Sequence, residues 1–390
     1  MKIEVKSSGL ESRVKNLCKV IDSKPALPIL SNIVFEVDEV KKTAVLTASD
    51  SEIWLSYTIE LLLAEDSGKF CVSADRLSDM LSGLPEQPVV IEINPVTDIL
   101  TLTHASGSSY CPIEHADEFP PQKNLENGET MVTAESKMLK DGIKRSLWAA
   151  VKDDLRPMMN GVYFKFEADH LDIVASNGHQ LMKTDATLSH MNESGDFVMP
   201  RKVAKILPDL LSNEYVDLTF DENCCRIEDD QMAFYFRFIE GKFPNYNSVI
   251  PQEFKHTTFC NRVDLIMALQ SVSPFTPNSS NLAVLKFKDE KLEVTGDDLD
   301  FSVGATQKVD IFDYDGEQMS IGIKAAQLIT MLQKIQTLEV NMKFNDGVHA
   351  LVITPYYDSY ENVKEDIIGM CMPIYLNDSN DGNDGQASEG

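Results

Sequence analysis

Three stretches of the chain repeat one pattern at intervals of about 125 residues, and this limits the possible folds more than any other feature. Each copy begins with a helical stripe that runs into a strand. In the first copy Val14, Leu17, Val20 and Ile21 precede Pro28-Ile29-Leu30-Ser31-Asn32-Ile33-Val34-Phe35. In the second, Leu139, Ile143, Leu147 and Val151 precede Pro157-Met158-Met159-Asn160-Gly161-Val162-Tyr163-Phe164. In the third, Val263, Ile266, Leu269 and Val272 precede Asn281-Leu282-Ala283-Val284-Leu285. The apolar period switches from 3.6 to about 2 each time. A strand entering a polar turn follows: Leu46-Thr47-Ala48-Ser49-Asp50, Ile173-Val174-Ala175-Ser176-Asn177 and Glu293-Val294-Thr295-Gly296-Asp297. Asp and Asn suit such turns because they tolerate positive φ and hydrogen-bond their own backbone.

The third shared block is a short strand opening a second helix. It reads Phe70-Cys71-Val72-Ser73-Ala74, Phe197-Val198-Met199-Pro200-Arg201 and Ile321-Gly322-Ile323-Lys324-Ala325. Units this long exceed the ~20–50 residues of solenoid repeats, so each can hold its own core. The pattern predicts an α+β chain of three domains, 1–125, 126–252 and 253–376, each with two helices and antiparallel sheets. Residues 377–390 are polar and acidic, with Asp378, Asp381, Asp384 and Glu389, and are expected to form a disordered tail. Three like domains suggest a symmetric object closed by self-association.

Composition narrows the setting. The formal charge of −27 argues, as a total, against a nucleic-acid partner. No apolar run reaches the ~18–20 residues that span a bilayer, so no membrane association is expected. Met1-Lys2-Ile3-Glu4-Val5-Lys6 alternates like a strand and has no apolar signal region. Seven scattered cysteines without a Cys-x-x-Cys pair fit a reducing cytoplasm. No cofactor or metal is expected. Asp313-Tyr314-Asp315-Gly316 fails as an EF-hand, because Gly322 stands where the twelfth-position Glu is needed. The acids of Gly296-Asp297-Asp298-Leu299-Asp300 read as a solvated turn. Ser176 and His179 share one turn and raise the alternative of a hydrolase-type enzyme. Spacing alone supplies neither an orienting acid nor an oxyanion hole, and no Gly-x-Ser-x-Gly elbow is present.

Against the net charge, basic residues cluster on particular helices. Lys137, Lys140 and Lys144 recur at i, i+3, i+7, on one helical face. Arg145 and Lys152 lie nearby. Arg13, Lys19 and Lys24 occur in the first repeat, and Arg76, Arg201, Lys202 and Lys324 at the strand-to-helix segments. Solubilising surface charge is the ordinary reading of any one lysine; a clustered face can instead meet phosphates.

The ordered motifs resemble the bacterial sliding clamps, the β subunits of the replicative DNA polymerase. They are Lys24-Pro25-Ala26-Leu27-Pro28-Ile29-Leu30, Asn160-Gly161, Ala175-Ser176-Asn177-Gly178-His179-Gln180-Leu181 and Met199-Pro200-Arg201-Lys202. Gly241-Lys242-Phe243-Pro244-Asn245-Tyr246 and Met372-Pro373-Ile374-Tyr375-Leu376 complete the set. The resemblance runs from Met1 to Leu376. It implies three clamp domains per chain and a head-to-tail homodimer closed into a ring, with helices lining a hole for duplex DNA. It implies a processivity factor with no catalytic centre. Lys24, Arg201 and Lys202 match positions close to DNA, Lys152 lies in a loop with the same role, and Arg76, Lys137, Lys140 and Lys144 join them as candidates. No base-reading contact is expected of a ring that slides.

The resemblance also implies a groove between the second and third domains. It would take short peptides from the DNA polymerase III alpha subunit, the clamp loader and repair proteins. Its lining matches Met159, Ser176, Gly178, His179, Leu181, Pro244, Val249, Met370, Met372, Pro373, Ile374 and Leu376. Met and Leu adapt to several partner side chains. Gln180, Ser248 and Tyr375 stand where arginine is often found, so a less basic groove is expected. Tyr110 and Phe275 are candidate apolar anchors of the dimer interface, with Arg76 a rim charge.

Overall fold

A computed structural model describes residues 1–122, 125, 130–150, 155–188, 190–191, 193–314, 316–357 and 366–376. Lys152 and the 377–390 tail lie outside these described residues. The chain forms two compact units. One comprises Met1–Asp141, Lys165–His170 and Thr187–Glu240; the other comprises Gly142–Phe164, Leu171–Ala186 and everything from Gly241 onward. Both therefore draw on the middle repeat.

Six α-helices appear among the described residues, two per repeat: α1 (Ser7–Cys18), α2 (Ala74–Leu81), α3 (Ser136–Ser146), α4 (Arg201–Leu210), α5 (Arg262–Val272) and α6 (Ala325–Leu332). The apolar stripes hold them to the sheets: Leu10, Val14 and Leu17 of α1, and Val203, Leu207 and Leu210 of α4, are buried. Side-chain caps mark the starts of two of them. Ser73 accepts the Arg76 amide at α2, and Asn261 accepts the Val263 and Asp264 amides at α5. Val263, read from the sequence as part of the buried stripe, is exposed, while Leu265, Ala268, Leu269 and Val272 are buried.

Neighbouring strands run antiparallel, and one connection recurs from repeat to repeat. The fourth-strand position is filled by Ile53–Glu60, Gln180–Thr187 and Val303–Phe312; the last strand is Gly107–Glu114, Met232–Arg237 or Asp366–Cys371. In the first unit, Ile53–Glu60 pairs with Met232–Arg237 of the next repeat, with Trp54 opposite Tyr235 and Ile53 opposite Phe236. In the second unit, Gln180–Thr187 pairs with Asp366–Cys371, with Leu181 opposite Met370 and Gln180 opposite Cys371. One repeat thus joins the next by a continuous ladder. Alternating burial, as in Glu339–Phe344, puts one strand face into the core.

Candidate peptide groove and nucleic-acid face

The turn Ser176–Gln180 is built from its own polar side chains. Asn177 Oδ1 accepts the amides of His179 and Gln180 at 2.9 Å each. Ser176 Oγ accepts the Gly178 amide at 3.1 Å and donates to the Gln180 carbonyl at 2.8 Å. Gly178 sits at φ +86°, and a Cβ there would fall 2.8 Å from Arg156 Nη1. The Ser176 hydroxyl is thus committed to holding a turn, with its proton on a backbone carbonyl rather than on a base. This removes the hydrolase-type alternative on Ser176 and His179.

Because Gln180 starts the ladder with Asp366–Cys371, the terminal segment arrives beside this turn. The Met372 amide donates to the His179 carbonyl at 2.8 Å. The Ile374 amide then donates to the Gly322 carbonyl at 2.8 Å, and only glycine fits there, since a Cβ would meet Ile374 O at 2.5 Å. Leu376 reaches the same glycine. The segment around Pro244 is fixed by Phe243, stacked on Tyr163 with ring centroids 4.6 Å apart, and by Tyr246, whose hydroxyl donates to Asp172. Met158, next to Met159, packs against Gly241. Leu181 and Met370 are buried. Met159, Pro373, Ile374 and Leu376 are half-buried, and Pro244, Met372 and Val249 are exposed. Val249 is 53% exposed and is therefore no part of the core. Gln180 is buried, with its amide donating to the Trp148 carbonyl at 3.4 Å, so it supplies no charge to the rim.

The candidate cations lie on helices, except Lys24, which stands in the irregular segment after α1. On α3, Lys137 and Lys144 are exposed and Lys140 is half-buried, while Leu139 and Ile143 are buried. Lys24 and Arg76 are exposed, and Arg201 is half-buried at the start of α4. Lys202 is engaged within the chain. Its ammonium donates to Val20 O at 2.6 Å, Asp22 Oδ1 at 2.7 Å and Asp50 Oδ2 at 2.5 Å.

Comparison with known proteins gives this geometry a family. Residues 1–125 match the family model described as DNA polymerase III beta subunit, N-terminal domain. Residues 133–245 match its central domain and 247–371 its C-terminal domain. The chain belongs to the DNA polymerase III beta-subunit family. It is 25% identical over 380 residues to the beta sliding clamp of Synechocystis, covering 91% of this chain and 96% of that one. It is 24% identical to the Bacillus subtilis beta sliding clamp, covering 96% and 99%. Among solved structures, a Pseudomonas aeruginosa sliding clamp bound to griselimycin superimposes with a TM-score of 0.89 at 21% identity, covering 96% of this chain and all of that one. The Thermotoga maritima beta subunit gives 0.87 at 22% identity with the same coverage. The fold is three tandem clamp domains, and the family is a processivity factor rather than a catalytic subunit. Among the described residues no group of His, Cys, Asp or Glu could hold a metal ion, and no helix is long and apolar enough to cross a membrane.

Among the fourth and last strands of the three repeats, two keep an edge largely unpaired among the described residues. Gly107–Glu114 pairs with Ile99–His104 on one side, but its other edge pairs only at Ile113 and Glu114. Val303–Phe312 pairs with Lys291–Asp298, and its other edge pairs only at Ile311 and Phe312. Tyr110, 76% exposed, projects from the first of these strands. Phe275, 37% exposed, lies in the Ser273–Phe275 turn after α5. Leu299 and Phe301, both more than 70% exposed, lead into the second strand. Sequence reasoning missed Phe301 and Leu299, hidden among acids, and Arg156, whose guanidinium lies against Gly178. It also missed the Asp22 and Asp50 partners of Lys202. Of these, only the place of Asp50 in its turn carries a local signal.

Proposed function

We propose that two copies of this sliding clamp pair head to tail into a ring that encloses duplex DNA and tethers the replicative polymerase. The observation that carries the reading is the strand-edge rule. Wherever the next repeat is present, a fourth strand pairs with its last strand. The third repeat's fourth strand and the first repeat's last strand are the pair left over, and a second copy would supply each with its partner. Carrying over the repeat register sets Ala305 opposite Tyr110 of the other copy, the places held within the chain by Trp54 with Tyr235 and Leu181 with Met370. Tyr110, Phe275, Phe301 and Leu299 would be covered there.

The cations Lys24, Arg76, Lys137, Lys140, Lys144 and Arg201 would meet phosphates without reading bases. The groove beside Gly178 and Met372 would take short apolar peptides from the polymerase alpha subunit, the clamp loader and repair proteins. The test is topological. The protein, once loaded on nicked circular DNA, should survive a high-salt wash and leave on linearisation. Equal salt sensitivity on circular and linear DNA would overturn the ring, because simple phosphate binding weakens steeply with salt on both.

A further inference from the structure

We propose that Lys202, although it begins a helix expected to face DNA, is not a phosphate ligand but the tie that fixes the joint between the first and middle repeats. An ammonium has three N–H donors, and all three are used: by the Val20 carbonyl, by Asp22 and by Asp50. To reach a phosphate, Lys202 would have to surrender one of them. Asp50 is the firmer anchor. Its side chain is 8% exposed. Its other oxygen accepts the Glu52 and Ile53 amides at 2.9 and 2.8 Å. Those amides open strand Ile53–Glu60, the strand that makes the ladder with Met232–Arg237. Lys202 is the second residue of α4. The contact therefore braces the start of a middle-repeat helix against the turn that launches the joint. A two-strand ladder sets register but leaves twist soft, and a contact off the ladder plane restrains that twist. Lys19 and Asp209 add a second link at 3.2 Å, but both are solvated and contribute little.

The repeat supplies an independent argument. Aligned through the strand-to-helix block, the position of Lys202 holds Asp75 in the first repeat and Ala326 in the third, and the place of Asp50 holds Asn177 in the second. The residues needed for this ammonium–carboxylate pair thus meet at the first joint and not at the equivalent places of the second. Removing Lys202 would strand a buried carboxylate, a larger disturbance than losing a surface charge.

The proposal uses the clamp reading only for what the joint would do; the tie itself is tested without DNA. In full-length protein, Lys202→Met should speed amide hydrogen exchange in Ile53–Glu60 and Met232–Arg237 about tenfold or more. Gln180–Thr187 and Asp366–Cys371 should be unchanged. Asp22→Asn, which removes only the exposed acceptor, should give a smaller increase in the same two strands and serves if Lys202→Met does not fold. On short linear duplexes, Arg201→Gln should reduce the slope of log affinity against log salt by about one for the phosphate it no longer neutralises, and Lys202→Met should not. Native exchange in the variants, or a reduced slope for Lys202→Met with exchange unchanged, overturns the tie. Faster exchange with no slope change in either variant sustains the tie and removes α4 from the DNA-facing surface.

Discussion

At the first joint Trp54 faces Tyr235 across the ladder, and at the second Leu181 faces Met370. The backbone scheme is the same, yet the surroundings differ. Trp54 and Tyr235 pack edge to face at 5.4 Å with Cys224, and Leu125 covers them. Around them Lys202, Arg237 and Arg13 bond across from one repeat to the other. The second joint is bordered instead by apolar, half-open side chains, Met372 and Ile374, hung on two backbone hydrogen bonds. One joint is closed by its own side chains, while the other leaves apolar surface for something else to cover. On the proposed reading, a duplicated interface becomes a fixed brace in one place and a docking site in the other by changing a few side chains around an unchanged ladder.

The sharpest way to break this comparison is to remove the open joint's border. Deleting Met372–Leu376 should abolish binding of an apolar clamp-binding peptide in a fluorescence polarisation titration. It should leave the dimer near twice 43.6 kDa by light scattering. Unchanged peptide affinity would place the groove elsewhere. Loss of the dimer would mean that the segment braces the second joint after all.

Truncating the facing residues comes next in size. Trp54→Ala should cost about 3–5 kcal/mol in urea unfolding, since a buried ring and its edge-to-face packing both disappear. Peptide affinity should stay unchanged. Leu181→Ala should cost about 2–5 kcal/mol and also weaken peptide binding, because the same side chain would line the proposed groove. If Trp54→Ala weakened peptide binding as much as Leu181→Ala, the two joints would not be functionally distinct.

The threefold plan, the helix stripes and the Asn177 turn were legible because they rest on local spacing: period 3.6, period 2, and a polar residue two before the amides it caps. The joints were not, because a ladder between strands about 190 residues apart leaves no local pattern. The site shows the same division. Gly178 could be read as a turn glycine from its neighbours, but its packing on Arg156 could not. Lys202 looked like any other helix lysine until Asp22 and Asp50, about 150 or more residues earlier, were placed beside it. Val263 failed for a local reason of another kind: a stripe of pure i+3 steps drifts by about 60° per step on a helix of 3.6 residues per turn, and by Val263 it has left the face that Leu265, Ala268, Leu269 and Val272 bury.

The smallest expected effect is a difference in thiol behaviour. Cys371 at the second joint and Cys225 beside the first are both buried. Burial pushes the Cys371 thiol up from about 9 to about 12 and raises Cys225 well above its ordinary value. The thiolate is the reactive form, so neither should react with a disulfide reagent at pH 8, and half-buried Cys18 should react first. The sign for stability follows. A thiol whose folded value is raised adds its stability below the unfolded value and loses it as pH climbs from about 9 to about 12. Unfolding midpoints should therefore fall across that window. Low urea should distinguish the two joints. With the ties making the first joint the firmer one, mass spectrometry should find Cys371 modified at a lower denaturant concentration than Cys225. Modification of Cys225 first would reverse the ranking, because the thiol nearer the bonded joint would then be the easier one to expose.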